Sequence, residues 1–173
     1  EIEEFKVNGI NDDYGFDIEE VDKFEVIHYG NTEENPHLIF TDEFTVGDVA
    51  QKVGPNYLFP IGLFMGSQVA IEEEERERNH DIYMDTPREY IYNIKLTIPD
   101  GYEVVDVDHL NFKVENSTGR FVTNVTINGQ VLNIATEKIY NSYFEPKKNW
   151  QEMIDFLDAA YKFTQQKILI KKK

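Results

Sequence analysis

"FVTNVTINGQVLNIAT", residues 121–136, decides the fold class. Phe121, Thr123, Val125 and Ile127 recur at every second position, the pattern of a strand with one face turned to a core. Asn128-Gly129 follows, a dipeptide in which both residues tolerate positive φ, and it predicts a hairpin centred there on a type I′ turn. "QVLNIAT", residues 130–136, is the returning strand.

The same alternation stands on either side. In "EYIYNIKLTI", residues 89–98, Tyr90, Tyr92, Ile94, Leu96 and Ile98 share a face opposite Ile91, Asn93, Lys95 and Thr97. Pro99-Asp100-Gly101 ends that run with turn chemistry. In "LNFKVEN", residues 110–116, Leu110, Phe112 and Val114 share a face, and Asn116-Ser117-Thr118-Gly119 turns the chain. Four short strands divided by turn signals predict an antiparallel β-sandwich-like domain.

The first half is less regular. "IEEFKVNGI" (2–10) and "GFDIEEVDKFEVIHYG" (15–30) read as strands joined by the turn "NDDYG" (11–15), and "HLIFTDEFTV" (37–46) as another strand. "PNYLFPIGLFMGSQVAI" (55–71) is the most apolar stretch, but two prolines and two glycines oppose an unbroken helix. It is expected to be a buried, bent segment entering a strand near Gln68–Ile71. The chain is read as one β-rich unit over 1–173, or as two lobes, 1–86 and 87–173, divided at Asp85-Thr86-Pro87.

One helix is expected, at about 149–163. Asn149 suits the N-cap, and Glu152 three residues later completes a capping-box pair. Trp150, Met153, Ile154, Leu157, Ala160 and Tyr161 form an apolar stripe for docking on the sheet. Glu152 near the start and Lys162 near the end both suit the helix dipole. "KILI" then has strand character, and Lys171–Lys173 are expected to fray into solvent.

Charge excludes some partners. Residues 147–173 hold seven lysines against Glu152, Asp155 and Asp158, a net of +4, which leaves −20 for residues 1–146 of a chain carrying −16 overall. So acidic a surface repels nucleic acid and anionic lipid heads. The chain has no cysteine, which excludes disulfides, thiolate metal sites and a cysteine nucleophile. No run reaches the ~20 apolar residues that span a bilayer. Glu1 rather than Met opens the chain and no signal-peptide pattern follows, so a piece of a longer protein is expected.

Local chemistry is sparse. His28, His37, His80 and His109 fall in no metal-ligand spacing. "VDVDH" sets Asp106 and Asp108 on one side of an extended segment beside His109, a spacing that oxygen-ligated calcium uses but that a solvated strand edge explains better. "EEEERER" (72–78) alternates faces and reads as a solvated loop or strand extension, too wet to tune a catalytic carboxylate. Ser67, Ser117 and Ser142 lack a nucleophile elbow. "NST" and "NVT" match glycosylation sequons, a match common by chance. No catalytic residue, cofactor or metal set is expected. Tyr14, Tyr29, Tyr83 and Tyr143 sit among polar or turn residues and are the rings expected to be exposed, as candidates for stacking a ligand.

"PREYIYNIKLTIPDGYEV" (87–104), "NFKVENSTGRFVTNVTINGQVLNIATEKIYNSYFEP" (111–146) and "NWQEMIDFLDAAYKFTQQKILIKKK" (149–173) resemble, in that order, a C-terminal module of unknown function. That module follows a transglutaminase-like, papain-type core in large exported bacterial proteins. "IGLFMGSQVAIEEEERERNHDIYM" (61–84) resembles the segment that leads into it, so the likeness covers about 61–173 and is faint over 1–60. In the family, cysteine–histidine–aspartate chemistry belongs to the preceding core, so the resemblance carries no catalytic residue onto this chain. It implies a periplasmic or cell-surface location in a Gram-negative bacterium. The function expected is a non-catalytic accessory domain whose partner is the preceding core, or a protein or glycan. The alternatives are a carbohydrate-binding module using exposed tyrosines and a hydrolase with a dispersed site.

Overall fold

Among the described residues a bent hairpin comes first: β1 (Ile18–Tyr29) pairs antiparallel with β2 (Leu38–Val46). Its register slips between Ile18 and Glu20, Val21 and Lys23, and Val26 and His28, irregularities that kink a strand and re-aim its side chains. The structure is a computed structural model that describes residues 18–30, 33 and 36–173. The expected strand at 2–10, the turn at 11–15 and Tyr14 lie outside the described residues. Backbone contacts divide the chain into two units, 1–49 and 50–173. The boundary expected at 86 falls inside the second.

The second unit runs β3 (Gln51–Val53), β4 (Asn56–Pro60), β5 (Ile82–Tyr83), β6 (Glu89–Thr97), β7 (Tyr102–Val104), β8 (Lys113–Glu115), β9 (Gly119–Asn128), β10 (Val131–Tyr140), β11 (Phe144–Glu145), α1 (Trp150–Thr164) and β12 (Lys167–Lys172). They make two four-stranded sheets, ordered β6-β10-β9-β8 and β3-β4-β12-β7, and a short β11-β5 pair. Every pairing is antiparallel. Among the described residues the architecture is mainly β with one α-helix, towards the C-terminal end, as the alternation predicts.

Register explains the core. Ile134 stands opposite Val125 on one side and Ile94 on the other, and Leu132 opposite Ile127 and Leu96. The expected faces therefore line up across three strands. Onto this face α1 lays Met153, Phe156, Leu157, Ala160 and Phe163, and the second sheet adds Ile168 and Ile170 to the same core. Phe112, Phe121 and Phe163 meet with centroids 5.8–6.2 Å apart. Gly119 lets the helix approach: a Cβ there would stand 2.3 Å from the Ile139 carbonyl oxygen and 2.8 Å from the Phe156 ring. The buried Thr123 hydroxyl bonds the Leu110 carbonyl oxygen and accepts from the Phe112 amide, fastening the 108–112 turn to β9.

Several expectations need correction. The hairpin loop is Gly129-Gln130, because Asn128 is paired with Val131, and only Gly129 has positive φ. Glycine at the first loop position suits a II′ connection. The strand expected over 110–116 shrinks to Lys113–Glu115, since Leu110 lies in a 3-10 turn. Residues 55–71 do bend, as β4 followed by a 3-10 turn at Ile61–Met65, but no strand forms at Gln68–Ile71.

Asn149 precedes the helix without capping it, because a 3-10 turn at Lys147–Asn149 feeds the helix start and Asn149 Nδ2 donates back to the Glu145 carboxylate (2.8 Å). Glu152, expected in the capping box, instead accepts from Ser117 Oγ (2.5 Å), and its carbonyl accepts from Asn116 Nδ2 (2.6 Å). The lysine end is not frayed. β12 lies between β4 and β7, Lys171 opposes Glu103, and the Lys173 amide donates to the Gly101 carbonyl at 2.9 Å. Lys171, Lys172 and Lys173 are all exposed.

Candidate binding site

The acidic run is a strap tied to the helix, which the sequence reading missed. Glu72–Glu75 closes a capping box around a 3-10 turn at Glu73–Glu75. The Glu75 carboxylate is engaged within the turn, accepting from the Glu72 amide (3.1 Å), whereas the Glu75 carbonyl accepts from Trp150 Nε1 on the helix (2.8 Å). Arg76 Nη2 donates to both oxygens of Asp158 at 3.1 and 3.3 Å and to the Ile71 carbonyl at 3.3 Å. Arg78 lies over the Trp150 ring, 4.6 Å from its centroid.

Between strap and helix lies a cleft of about 470 Å³, within the usual range for small-ligand sites. Val69, Ile71 and Trp150 supply its apolar wall and Glu77, Arg78 and His80 its polar rim. Trp150, 8 % exposed, belongs to both core and cleft. The indole expected to dock on the sheet is thus clasped by the strap from its other side.

Of the four tyrosines, three are described and exposed: Tyr29 at 71 %, Tyr83 at 68 % and Tyr143 at 49 %. Tyr83 and Tyr143 come together edge to face, centroids 5.9 Å apart, beside exposed Phe144 at the β5–β11 pair. Tyr29 closes β1 in the first unit.

Histidines do not assemble a reactive centre. His28 Nδ1 lies 3.1 Å from the His37 carbonyl and accepts from the Gly30 amide. His80 lines the cleft, and His109 Nδ1 lies 3.9 Å from Asp106 Oδ1 at the surface. Asp106 is left-handed (φ 58°) and a 3-10 turn starts at Asp108, so the two carboxylates do not share one side of an extended segment. No trio of His, Asp or Glu is gathered as for a metal ion among the described residues.

One buried cation stands out. Lys138 Nζ donates to Gln68 Oε1 (2.8 Å) and lies 5.3 Å from the Tyr140 ring centroid. Burial pushes its ammonium down to about 8 and pushes the Tyr140 phenol up to about 12. Across the two inner strands of the sheet, Arg120 on β9 forks onto Glu137 on β10 (2.6 and 3.0 Å), and that hydrogen bond holds the Glu137 carboxyl below its ordinary range. These ties brace strands and loops.

The family profile described as "Domain of Unknown Function with solved-structure structure" (DUF3858) matches residues 56–170. The chain belongs to that family. No curated protein and no solved structure matches it. The DUF3858 span opens on β4 and closes within β12, so it holds both sheets' principal strands, the strap cleft and the Tyr83–Tyr143 pair. No helix among the described residues is long and apolar enough to cross a membrane.

Proposed function

We propose that the DUF3858 unit is a non-catalytic accessory module of a transglutaminase-like exported bacterial protein, acting in the periplasm or at the cell surface. The observation that carries this reading is where the polar side chains are engaged. Arg76, Asn116, Thr123, Glu152 and Gln130 each hold one element to another. They serve as struts rather than converging on a cavity, as groups that handle protons must. The ordered sequence phrases support the association with a papain-type core, and a chain without cysteine leaves that chemistry to the core. Deleting residues 50–173 from the longer protein tests it. Turnover of a small substrate should persist while capture of a macromolecular one falls. Loss of small-substrate turnover with the core still folded would place chemistry in this module.

A second reading, carbohydrate binding, is favoured by the exposed Tyr83–Tyr143 pair, since ring faces stack on the apolar faces of sugars. Glycan-array binding abolished by Tyr83→Ala supports it. A blank array excludes it.

A further inference from the structure

The cleft beside Trp150 lies wholly within the second unit, and the strap that walls it is fastened at both ends. Upstream, Arg76 forks onto Asp158 and the Glu75 carbonyl holds the indole N–H. Downstream, Asp81 accepts from the Lys147 amide at 2.8 Å, and Ile82 pairs with Glu145. Between these anchors Glu77, Asn79 and His80 line the cleft, and their side chains make no hydrogen bond or ion pair among the described residues. Arg78 makes only its contact with the Trp150 ring. Glu77 and Arg78 are adjacent and opposite in charge, yet they do not pair with each other. All four residues are exposed, and Val69 on the apolar wall is 57 % exposed, so the cleft stands open. A rigid frame thus carries two uncommitted charges beside apolar surface.

We propose that this cleft binds a free α-amino acid with an apolar side chain, its carboxylate on Arg78, its ammonium on Glu77 and its side chain against Val69 and Ile71. A guanidinium presents forked donors that match a carboxylate, and the indole beneath Arg78 holds it in place for that task. A chain carrying −16 repels a ligand of net negative charge, so the bound carboxylate needs a positive group on the same molecule. Glu77 receives that group. Consecutive residues, with Cα atoms about 3.8 Å apart, supply the two charges, which suits a carboxylate and an ammonium borne on one carbon. A peptide sets those groups on different residues. The apolar wall takes the side chain, and about 470 Å³ lies towards the small end of ligand sites. The site stands independently of the accessory role proposed above.

Calorimetric titration of the 173-residue chain with L-leucine tests this, with thermal melting of every variant to confirm folding. Saturable heat is expected, together with a saturable change in the emission of Trp150, the sole tryptophan. Leucinamide lacks the carboxylate and N-acetyl-leucine the ammonium, and each should bind at least about tenfold more weakly. Glycine, with no side chain to bury, should also lose about tenfold or more. Arg78→Gln should abolish the preference for leucine over leucinamide, and Glu77→Gln the preference over N-acetyl-leucine. No saturable signal by either method through the millimolar range, a derivative that binds as tightly as leucine, or a variant that keeps its preference would each overturn the proposal. Dileucine binding more tightly than leucine would also overturn it, by assigning the cleft to peptide ends.

Discussion

Replacing Trp150 by alanine should be among the most damaging single changes in the second unit. An indole side chain offers roughly 150–250 Å², and Trp150 is only 8 % exposed. At about 25 cal/mol per Å² that burial contributes roughly 3.5–5.5 kcal/mol, of which alanine retains about 1. The expected loss is therefore about 2.5–4.5 kcal/mol, which overlaps the usual ~3–5 kcal/mol for truncating a buried tryptophan. The bond to the Glu75 carbonyl and the Arg78 contact add little, because both partners sit at the exposed strap and water can replace the ring. Trp150→Phe separates the terms: it keeps most of the apolar ring and removes the N–H donor, and should cost about 1 kcal/mol. Trp150 is the sole tryptophan, so the variants must be followed by far-UV circular dichroism during urea unfolding rather than by intrinsic fluorescence. A cost for Trp150→Ala below about 1 kcal/mol would refute the docking of α1 between sheet and strap.

Gly119→Ala should destabilise by about 2 kcal/mol or more, read as a lowered melting temperature, since the new Cβ meets a backbone carbonyl that cannot swing away. Thr136→Val should raise the melting temperature, because the buried Thr136 hydroxyl has no hydrogen-bond partner among the described residues and an apolar replacement of equal shape removes that penalty, worth about 1 kcal/mol. Lys138 gives a pH signature. Its folded pKa of about 8 lies below the ordinary 10.5, so between those values the unfolded chain binds the more protons and stability rises with pH. Tyr140, raised to about 12, contributes the opposite slope only above about pH 10. Melting between pH 8 and 10 should therefore show a stabilising increment that Lys138→Met abolishes. Arg76→Ala should loosen the strap, measured as faster amide exchange over residues 69–80 with exchange in β9 and β10 unchanged.

What was legible in the sequence was periodicity. Alternation at 89–98 and 121–136 fixed which side chains face the core, because a strand offers only two faces and one of them is apolar. The C-terminal stripe likewise announced a helix, though Phe156, Ala159 and Phe163 are buried beyond the expected stripe. A helix flanked by a sheet and a strap hides more of its circumference than one resting on a sheet alone. Local chemistry misled where a distant partner won. Asn149 and Glu152 have the residue types of a capping pair, but Glu145 and the Asn116–Ser117 turn hold them instead. The lysine tail read as solvated because its side chains are, while its backbone completes a sheet whose other strands lie far away in sequence. The cleft was invisible for the same reason: Arg78 and Trp150 are separated by most of the sheet, and no short spacing announces their contact.

The claim that this unit braces and presents but does not react is tested most directly by a turnover screen of the 173-residue chain. Peptide, ester and glutamine-donor substrates would be offered, with His80→Ala and Glu77→Gln alongside because these residues line the cleft. The account predicts conversion no faster than in buffer for all three proteins. Turnover that either substitution abolishes without lowering the melting temperature would contradict it.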